Sequence, residues 1–378
     1  MGPVFYPSTC HPIGRRSFLA VAVGTGAALI TGTPASARVA TADNSKRIIL
    51  KYARRRDDPW ALVHAVRALG RDYTLDGGQP AVPFVLAEYL QEQAVNGGTY
   101  LAFPRKVEVH ENMFLKTFLE AGVSPLLRFS VTGRPRTLQD VVDSARALLR
   151  FSDATSRNAI AWSIIALTRT TPPDRGIWSN AFGERVDLAK VVEAGFEAME
   201  QASQPIQDAR DRGLPLARQA PVHAFTCGGT HLLYALLAAT QAGYTASGHR
   251  DRVRRQMDLL VYRLWADVDL MDRFYQPKLA ASPQARWFLL DARLKFVGHV
   301  FECLRFAERH LLYAIPPDQA PRRDRARAAL DADISTLGEA DLASVKAETA
   351  ELYQQLVGDV CHAHHGLTLT WQQGGPGV

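Results

Sequence analysis

Gly229-Thr230-His231-Leu232-Leu233-Tyr234-Ala235-Leu236-Leu237-Ala238-Ala239-Thr240-Gln241-Ala242 carries no charged side chain, and its apolar residues fall on every side of a 3.6-residue period. A helix that is apolar all round is buried, so this stretch predicts a core helix, closed by Gly243. Asn158 to Leu167 has the same character. Thr137 to Phe151, Asp187 to Ala202 and Arg252 to Leu264 instead carry one charged face, as helices between a core and solvent do.

Working outward, almost every periodic segment reads as helix. Asp58-Pro59 places an N-cap before a proline at the first helical position, and Trp60, Leu62, Val63, Val66 and Leu69 follow at helical spacing up to Gly70. Further helices are predicted over Val82 to Gln93, Glu111 to Ala121, Thr137 to Phe151, Asn158 to Thr168, Asp187 to Ala202 and Thr230 to Ala242. Arg252 to Met271, Leu290 to Tyr313, Arg325 to Leu337 and Leu342 to His362 complete the set. No alternating strand of useful length is predicted, although Val107-Glu108-Val109 has the composition of a short extended piece.

The fold class is therefore all-α. Core-type helices begin near residues 59, 111, 158, 229, 295 and 342, with amphipathic helices between them. This alternation resembles the (α/α) toroid of about six helix pairs, the architecture shared by six-hairpin glycosidases, several polysaccharide lyases and terpene cyclases. The resemblance is architectural and spans about residues 50–365. An irregular helical bundle or a solenoid is the alternative, kept open by the uneven intervals between core helices.

In such a toroid the resemblance implies that functional groups collect where inner helices begin. Those starts hold Asp57 and Asp58; His110, Glu111 and Asn112; Ser156, Arg157 and Asn158; His223, Cys227 and His231; and Lys295, His299 and Glu302. Asp58, Asn112 and Asn158 are equally good helix caps. In His223-Ala224-Phe225-Thr226-Cys227-Gly228-Gly229-Thr230-His231 two glycines lead into the apolar helix, where they allow positive φ or close backbone approach. There Cys227 is a candidate nucleophile or metal ligand, or else a buried thiol in a tight turn. His299 lies three residues before Glu302 and four before Cys303, so both pairs share a helix face suited to acid–base or metal chemistry. Cys361-His362-Ala363-His364-His365 offers four potential metal donors, or else a frayed C-terminus. The candidate catalytic set is His231, His299, Glu302, Glu111 and Asp58. The candidate metal set is His223, Cys227, His231, Cys361 and His365. The cofactor itself stays unassigned.

No phosphate loop, dinucleotide fingerprint, His-Glu-x-x-His or Gly-x-Ser-x-Gly occurs, which disfavours nucleotide enzymes, zincins and serine hydrolases. Asp267-x-Asp269-x-x-Asp272 only approaches a prenyl-diphosphate motif and reads as a solvated helix face. The chain has 44 Lys and Arg against 38 Asp and Glu, a net charge of +6, with the signs interspersed. No basic stripe interleaved with aromatics argues for nucleic acid.

The amino-terminal residues carry an address. Arg15-Arg16-Ser17-Phe18-Leu19 precedes an apolar run from Phe18 to Ile30, and Pro34-Ala35-Ser36-Ala37 supplies a small-residue exit. The run is shorter than the roughly 20 residues that span a bilayer. This pattern resembles the twin-arginine signal peptide, which implies the Tat translocase as partner, cleavage near residue 37, and a periplasmic or secreted mature chain with no stable membrane anchor. Residues 38–49 are expected as a linker, 50–365 as one all-α domain, and 366–378 as a flexible tail. Cys227, Cys303 and Cys361 then remain, an odd count unlike a small disulfide scaffold.

Taken together, these features point to a hydrolase or lyase acting on carbohydrate or a cell-envelope polymer. Glu111, Glu302 or Asp58 would be its acid or base, and Trp60, Trp162 or Trp178 its sugar-stacking surface. The rival is a non-catalytic periplasmic metal- or partner-binding module, and a third reading is a scaffold for another exported protein. Replacing Arg15 and Arg16 together with Lys is expected to abolish export and leave a cytoplasmic precursor. Normal accumulation of that variant outside the cytoplasm, measured by fractionation, would refute the twin-arginine assignment.

Overall fold

The computed structural model describes residues 35–150, 160–246 and 248–368. Thirteen α-helices and three two-stranded hairpins occur among the described residues, so the chain is all-α in class. The helices are α1 (Ala35–Tyr52), α2 (Pro59–Leu69), α3 (Ala81–Tyr89), α4 (Met113–Glu120), α5 (Leu138–Leu148), α6 (Ile160–Thr170) and α7 (Leu188–Asp211). They continue with α8 (Thr230–Gln241), α9 (His249–Leu279), α10 (Pro283–Arg309), α11 (Ala320–Gly338), α12 (Leu342–Glu348) and α13 (Ala350–Thr368).

Local chemistry sets the ends of these helices. Asp58 caps α2 by accepting from the Ala61 N–H at 3.0 Å, with Pro59 at the first position. Thr137 and Asp140 form a reciprocal capping box on α5. In α8 every residue from Thr230 to Thr240 is buried, and in α6 every residue from Ile160 to Thr168. Six helices pack in a closed circuit: α2 on α4, α4 on α6, α6 on α8, α8 on α10, α10 on α13, and α13 back on α2. The remaining helices lie against this circuit. For example, α7 packs on α6 and α8, α9 on α8 and α10, and α11 on α9 and α10.

Glycines set the closest approach in the circuit. A Cβ on Gly298 would come within 2.9 Å of the Ala363 nitrogen, and one on Gly366 within 2.8 Å of Phe301 Cβ. Real side chains do not tolerate such distances, so these two glycines let α10 and α13 lie backbone to backbone.

Several expectations need correction. The helix expected over Val82 to Gln93 stops at Tyr89, and β1 (Gln91–Val95) pairs antiparallel with β2 (Gly98–Ala102). Asn96 and Gly97 both adopt positive φ at the turn, the geometry that an Asn-Gly hairpin requires. Thr132 and Gly133 do the same between β3 (Arg128–Val131) and β4 (Arg134–Thr137). The third hairpin joins β5 (Ile177–Ser179) to β6 (Arg185–Asp187). Val107 and Glu108 form a turn instead of an extended piece.

Residues 38–49, expected as a linker, belong to α1. Ser45, Ile48 and Ile49 are buried there, α1 packs on α13 and α11, and Ser45 Oγ lies 2.8 Å from His364 Nδ1. Residues 366–368, expected in a flexible tail, belong to α13, which runs to Thr368. Of the expected signal peptide over residues 1–37, residues 1–34 lie outside the described residues, as do Ser156-Arg157-Asn158 and residues 369–378, and Ala35–Ala37 begin α1. Among the described residues no helix is long and apolar enough to cross a membrane.

Leu233 is fully buried in the middle of α8. Leu233→Ala should therefore cost roughly 2–5 kcal/mol by chemical denaturation. A loss below about 0.5 kcal/mol, the range of surface changes, would contradict the buried placement of α8.

Candidate functional site

Charged residues lie inside the closed circuit. Arg67 on α2, Lys116 and Glu120 on α4, and Glu302 on α10 are all buried. Arg67 Nε donates to Glu302 Oε1 at 2.7 Å, and Arg67 Nη1 donates to Glu120 Oε2. Lys116 Nζ sits 2.8 Å from Glu120 Oε2, and the Tyr234 ring lies against both cations. Two cations and two carboxylates thus satisfy each other where an unpaired charge would be costly. Burial alone would raise the Glu302 pKa, but Arg67, His362 and His365 outweigh it and hold the carboxyl well below the usual range. Glu120 is likewise brought to about 2 against its burial by Arg67 and Lys116.

Glu302 also fixes two imidazoles of α13. His362 Nδ1 and His365 Nδ1 donate to its carboxylate at 3.0 and 2.7 Å. Backbone carbonyls fix two more: His299 Nδ1 donates to Lys295 O at 2.6 Å, and His64 Nδ1 donates to Trp60 O at 2.7 Å. A carbonyl can only accept, so each neutral ring carries its hydrogen on Nδ1 and leaves Nε2 as a lone pair. His299 Nε2 faces His231 Nε2 at 3.0 Å, which places the hydrogen of that contact on His231. The His299 and His362 rings stack with centroids 3.8 Å apart. Burial holds these rings neutral: His64 falls to about 3 and His299 to about 4, while His231 and His362 lie well below the ordinary value.

His64, His231, His299 and His362 line a cavity of ≈ 220 Å³ that also meets Trp60, His110, Met113, Trp162, Cys227, Lys295 and Asp359. His110 stacks on Trp162 at 4.0 Å. One helical turn before His299 and His362, on the same two helices, lie Lys295 and Asp359. Lys295 Nζ is 2.9 Å from Asp291 Oδ2 and 3.8 Å from Asp359 Oδ2. Asp359 Oδ2 has no hydrogen-bond partner among the described residues. Burial raises the Asp359 pKa well above the ordinary value; Lys295 opposes this and the neighbouring Asp291 adds to it. For Lys295 burial lowers the pKa, but Asp291 and Asp359 outweigh it and the net shift is upward.

His231, His299 and Cys227 therefore converge on one cavity, and Glu302 stands directly behind it. Cys227 has φ 51° and is followed by Gly228 and Gly229, also at positive φ. This left-handed turn sets the half-buried thiol on the cavity wall, and burial pushes its pKa up.

Other candidates lie elsewhere. Asp58 is spent on its cap and accepts from Gln354 Nε2 at 3.0 Å. Glu111 is exposed near Arg105 at 3.7 Å. His223 is buried, with the Ala220 N–H on Nδ1 and Asp267 at 3.2 Å from Nε2. Its partner Asp267, expected on a solvated face, is buried against Arg263. Cys361 is buried in α13, off the cavity wall. His365 serves Glu302, and Trp178 donates to Arg146 O at 2.9 Å, away from the cavity.

Sequence reasoning missed His64, Arg67, Lys116, Glu120 and Asp359. Their signal was a charged or titratable residue in the middle of an otherwise apolar helix, as in Met113-Phe114-Leu115-Lys116-Thr117-Phe118-Leu119-Glu120.

No family model matches the chain, and no curated protein or solved structure is significantly similar to it.

The buried imidazoles make stability depend on pH. His64, His110 and His364 sit at about 3, 4 and 4 in the folded chain, below the roughly 6.5 of an unfolded one. As pH falls below about 6.5 the unfolded chain takes up protons that the folded chain refuses, so these groups cost stability progressively down to their folded values. The depressed carboxyls of Glu302 and Glu120 keep their stabilisation until about pH 4 and lose it only below. Glu108 at about 8 and Asp333 at about 6 work the other way over this range, but the depressed imidazoles outnumber them, so denaturation midpoints should fall between about pH 7.5 and pH 5. Equal midpoints at the two values would contradict neutral burial of these rings.

Proposed function

We propose that this chain is the body of an exported (α/α) toroid whose central cavity is the active site of a hydrolase acting on carbohydrate or a cell-envelope polymer. The architectural part is supported by the circuit of α2, α4, α6, α8, α10 and α13, each preceded in the chain by a helix outside that circuit. Export through the Tat translocase to the periplasm or beyond rests on Arg15, Arg16 and the apolar run that follows.

One observation carries the functional reading. A single cavity is lined by imidazoles with hydrogens set by fixed acceptors and, one turn along the same two helices, by Asp359 beside Lys295. Hydrolysis needs a group that activates water and a group that protonates the leaving oxygen. The His231–His299 side serves the first need. Asp359, whose pKa burial and Asp291 raise against Lys295, serves the second in its protonated form by giving its proton to the oxygen of the breaking C–O bond. Elimination by a lyase would instead call for a free cation beside the substrate carboxylate. Lys295, the buried cation on the wall, is already paired with Asp291 at 2.9 Å, which favours hydrolysis.

The cavity is smaller than the about 300–1,000 Å³ of sites for drug-sized ligands. It fits one unit at the end of a polymer better than a run of units, with Trp60 and the His110–Trp162 stack as its flat walls. The rival, a non-catalytic metal-binding module, is favoured by the donor atoms of Cys227, His231 and His299, all within 4.8 Å of one another.

The test is to screen the mature protein against chromogenic glycosides and purified envelope polymers. Turnover is expected for at least one class. Asp359→Asn and His299→Gln should each lower it by about 100-fold or more with helix content unchanged by circular dichroism. Absence of turnover across the panel, or full activity in both variants, would overturn the hydrolase reading.

A further inference from the structure

We propose that Cys227, His231 and His299 form a three-ligand site for a divalent transition metal of the zinc class, with the fourth position open to the cavity. This deepens the hydrolase reading, since a metal-bound water is an activated nucleophile at neutral pH, and in that respect it rests on that reading.

Three independent features support the site. The first is distance. The two Nε2 atoms are 3.0 Å apart, the separation of two nitrogens bound at about 2.0–2.1 Å to one ion with an angle of roughly 95°. The Cys227 sulfur falls within 4.8 Å of both, so a small shift closes the third bond.

The second is orientation. His299 donates Nδ1–H to Lys295 O at 2.6 Å. Metal-binding histidines make this outer contact to a carbonyl or carboxylate, which aims the ring and leaves the inner nitrogen as a lone pair. The rigid donor comes from the middle of α10, braced by the close approach of α13 at Gly298.

The third is the turn. Cys227 holds φ 51° without being glycine, and Gly228 and Gly229 continue at 64° and 82°. A non-glycine residue in this region is uncommon and costs energy. The turn spends that energy to present one sulfur to the two imidazoles at the start of α8.

The donor set defines the ion. Two imidazoles and a thiolate suit zinc and its soft neighbours and reject magnesium and calcium, which take oxygen. Three protein ligands with one open position is the arrangement of catalytic zinc. The Cys227 thiol releases one proton to solvent, and the His231 hydrogen moves from Nε2 to Nδ1, so each site that fills releases one proton.

The experiment uses metal alone. Mature full-length protein is stripped with a chelator and titrated with Zn²⁺ by calorimetry in two buffers of different ionisation enthalpy, and in parallel with Co²⁺ by absorption. The expected result is one equivalent bound, about one proton released, and a thiolate-to-cobalt charge-transfer band. Cys227→Ser and His299→Gln should each weaken Zn²⁺ binding on the order of 100-fold or more. Should either variant fail to fold, the wild-type cobalt spectrum still decides, because only a bound sulfur produces that band. Substoichiometric binding, a cobalt spectrum without the band, or variants that bind like wild type would overturn the proposal. No substrate enters this titration, so an empty site and a failed hydrolase screen are separate results.

Discussion

The carboxylate of Glu302 is the point on which the interior depends. It is buried on α10 and holds groups from two other helices of the circuit: Arg67 from α2, and His362 and His365 from α13. Arg67 extends the network to Glu120 and Lys116 on α4. An ion pair this deep does not add stability for its own sake, since desolvation cancels much of the attraction. It makes one arrangement of the helices much better than its neighbours, because losing any partner strands a charge. The same arrangement turns the His362 ring, and through it the stacked His299 ring, toward the cavity.

Layers explain how a stabilising network becomes a site. Along α10 and α13 the side chains repeat at one-turn intervals. Lys295 and Asp359 form the outer layer, His299 and His362 the middle, and Glu302 with His365 the inner. Gly298 and Gly366 bring the two backbones close enough for each layer to bridge both helices. The inner layer carries full charge and is paired. The middle layer is neutral, with its hydrogens assigned by the layer below and by a backbone carbonyl. The outer layer faces the cavity with a carboxyl whose pKa burial raises. On this account the chemistry proposed for the cavity comes from the two upper layers and its precision from the lowest.

Much of this was legible in the chain. The uncharged stretch from Gly229 to Ala242 announced a core helix, and glycine beside histidine at Cys227–His231 and Gly298–His299 marked two segments that meet across the cavity. What was not legible has physical reasons. Arg67 finds its partner 235 residues away, and no local pattern encodes such a pairing. Lys116 and Glu120 are spaced like an ordinary surface pair, and only the apolar residues around them betray burial. Asp58 and Glu111 stand at helix starts as expected, but position on a helix does not fix direction: one turns to its own N–H groups and the other to solvent. His362 was read near a fraying end because the break at Thr349, where α12 gives way to α13, was not seen. The hairpin at Asn96-Gly97 had a plain local signal that the helical reading of its neighbours overrode.

The central claim is that fixed acceptors hold the imidazoles of His64, His299 and His362 neutral, with Nδ1 protonated and Nε2 turned to the cavity. Long-range proton–nitrogen correlation NMR of the ¹⁵N-histidine-labelled, metal-free protein near pH 7 reads tautomer and charge ring by ring. The account predicts neutral Nδ1–H tautomers at all three positions and an Nε2–H tautomer at His231. Imidazolium at these positions, or Nε2–H at His299 and His362, would contradict it.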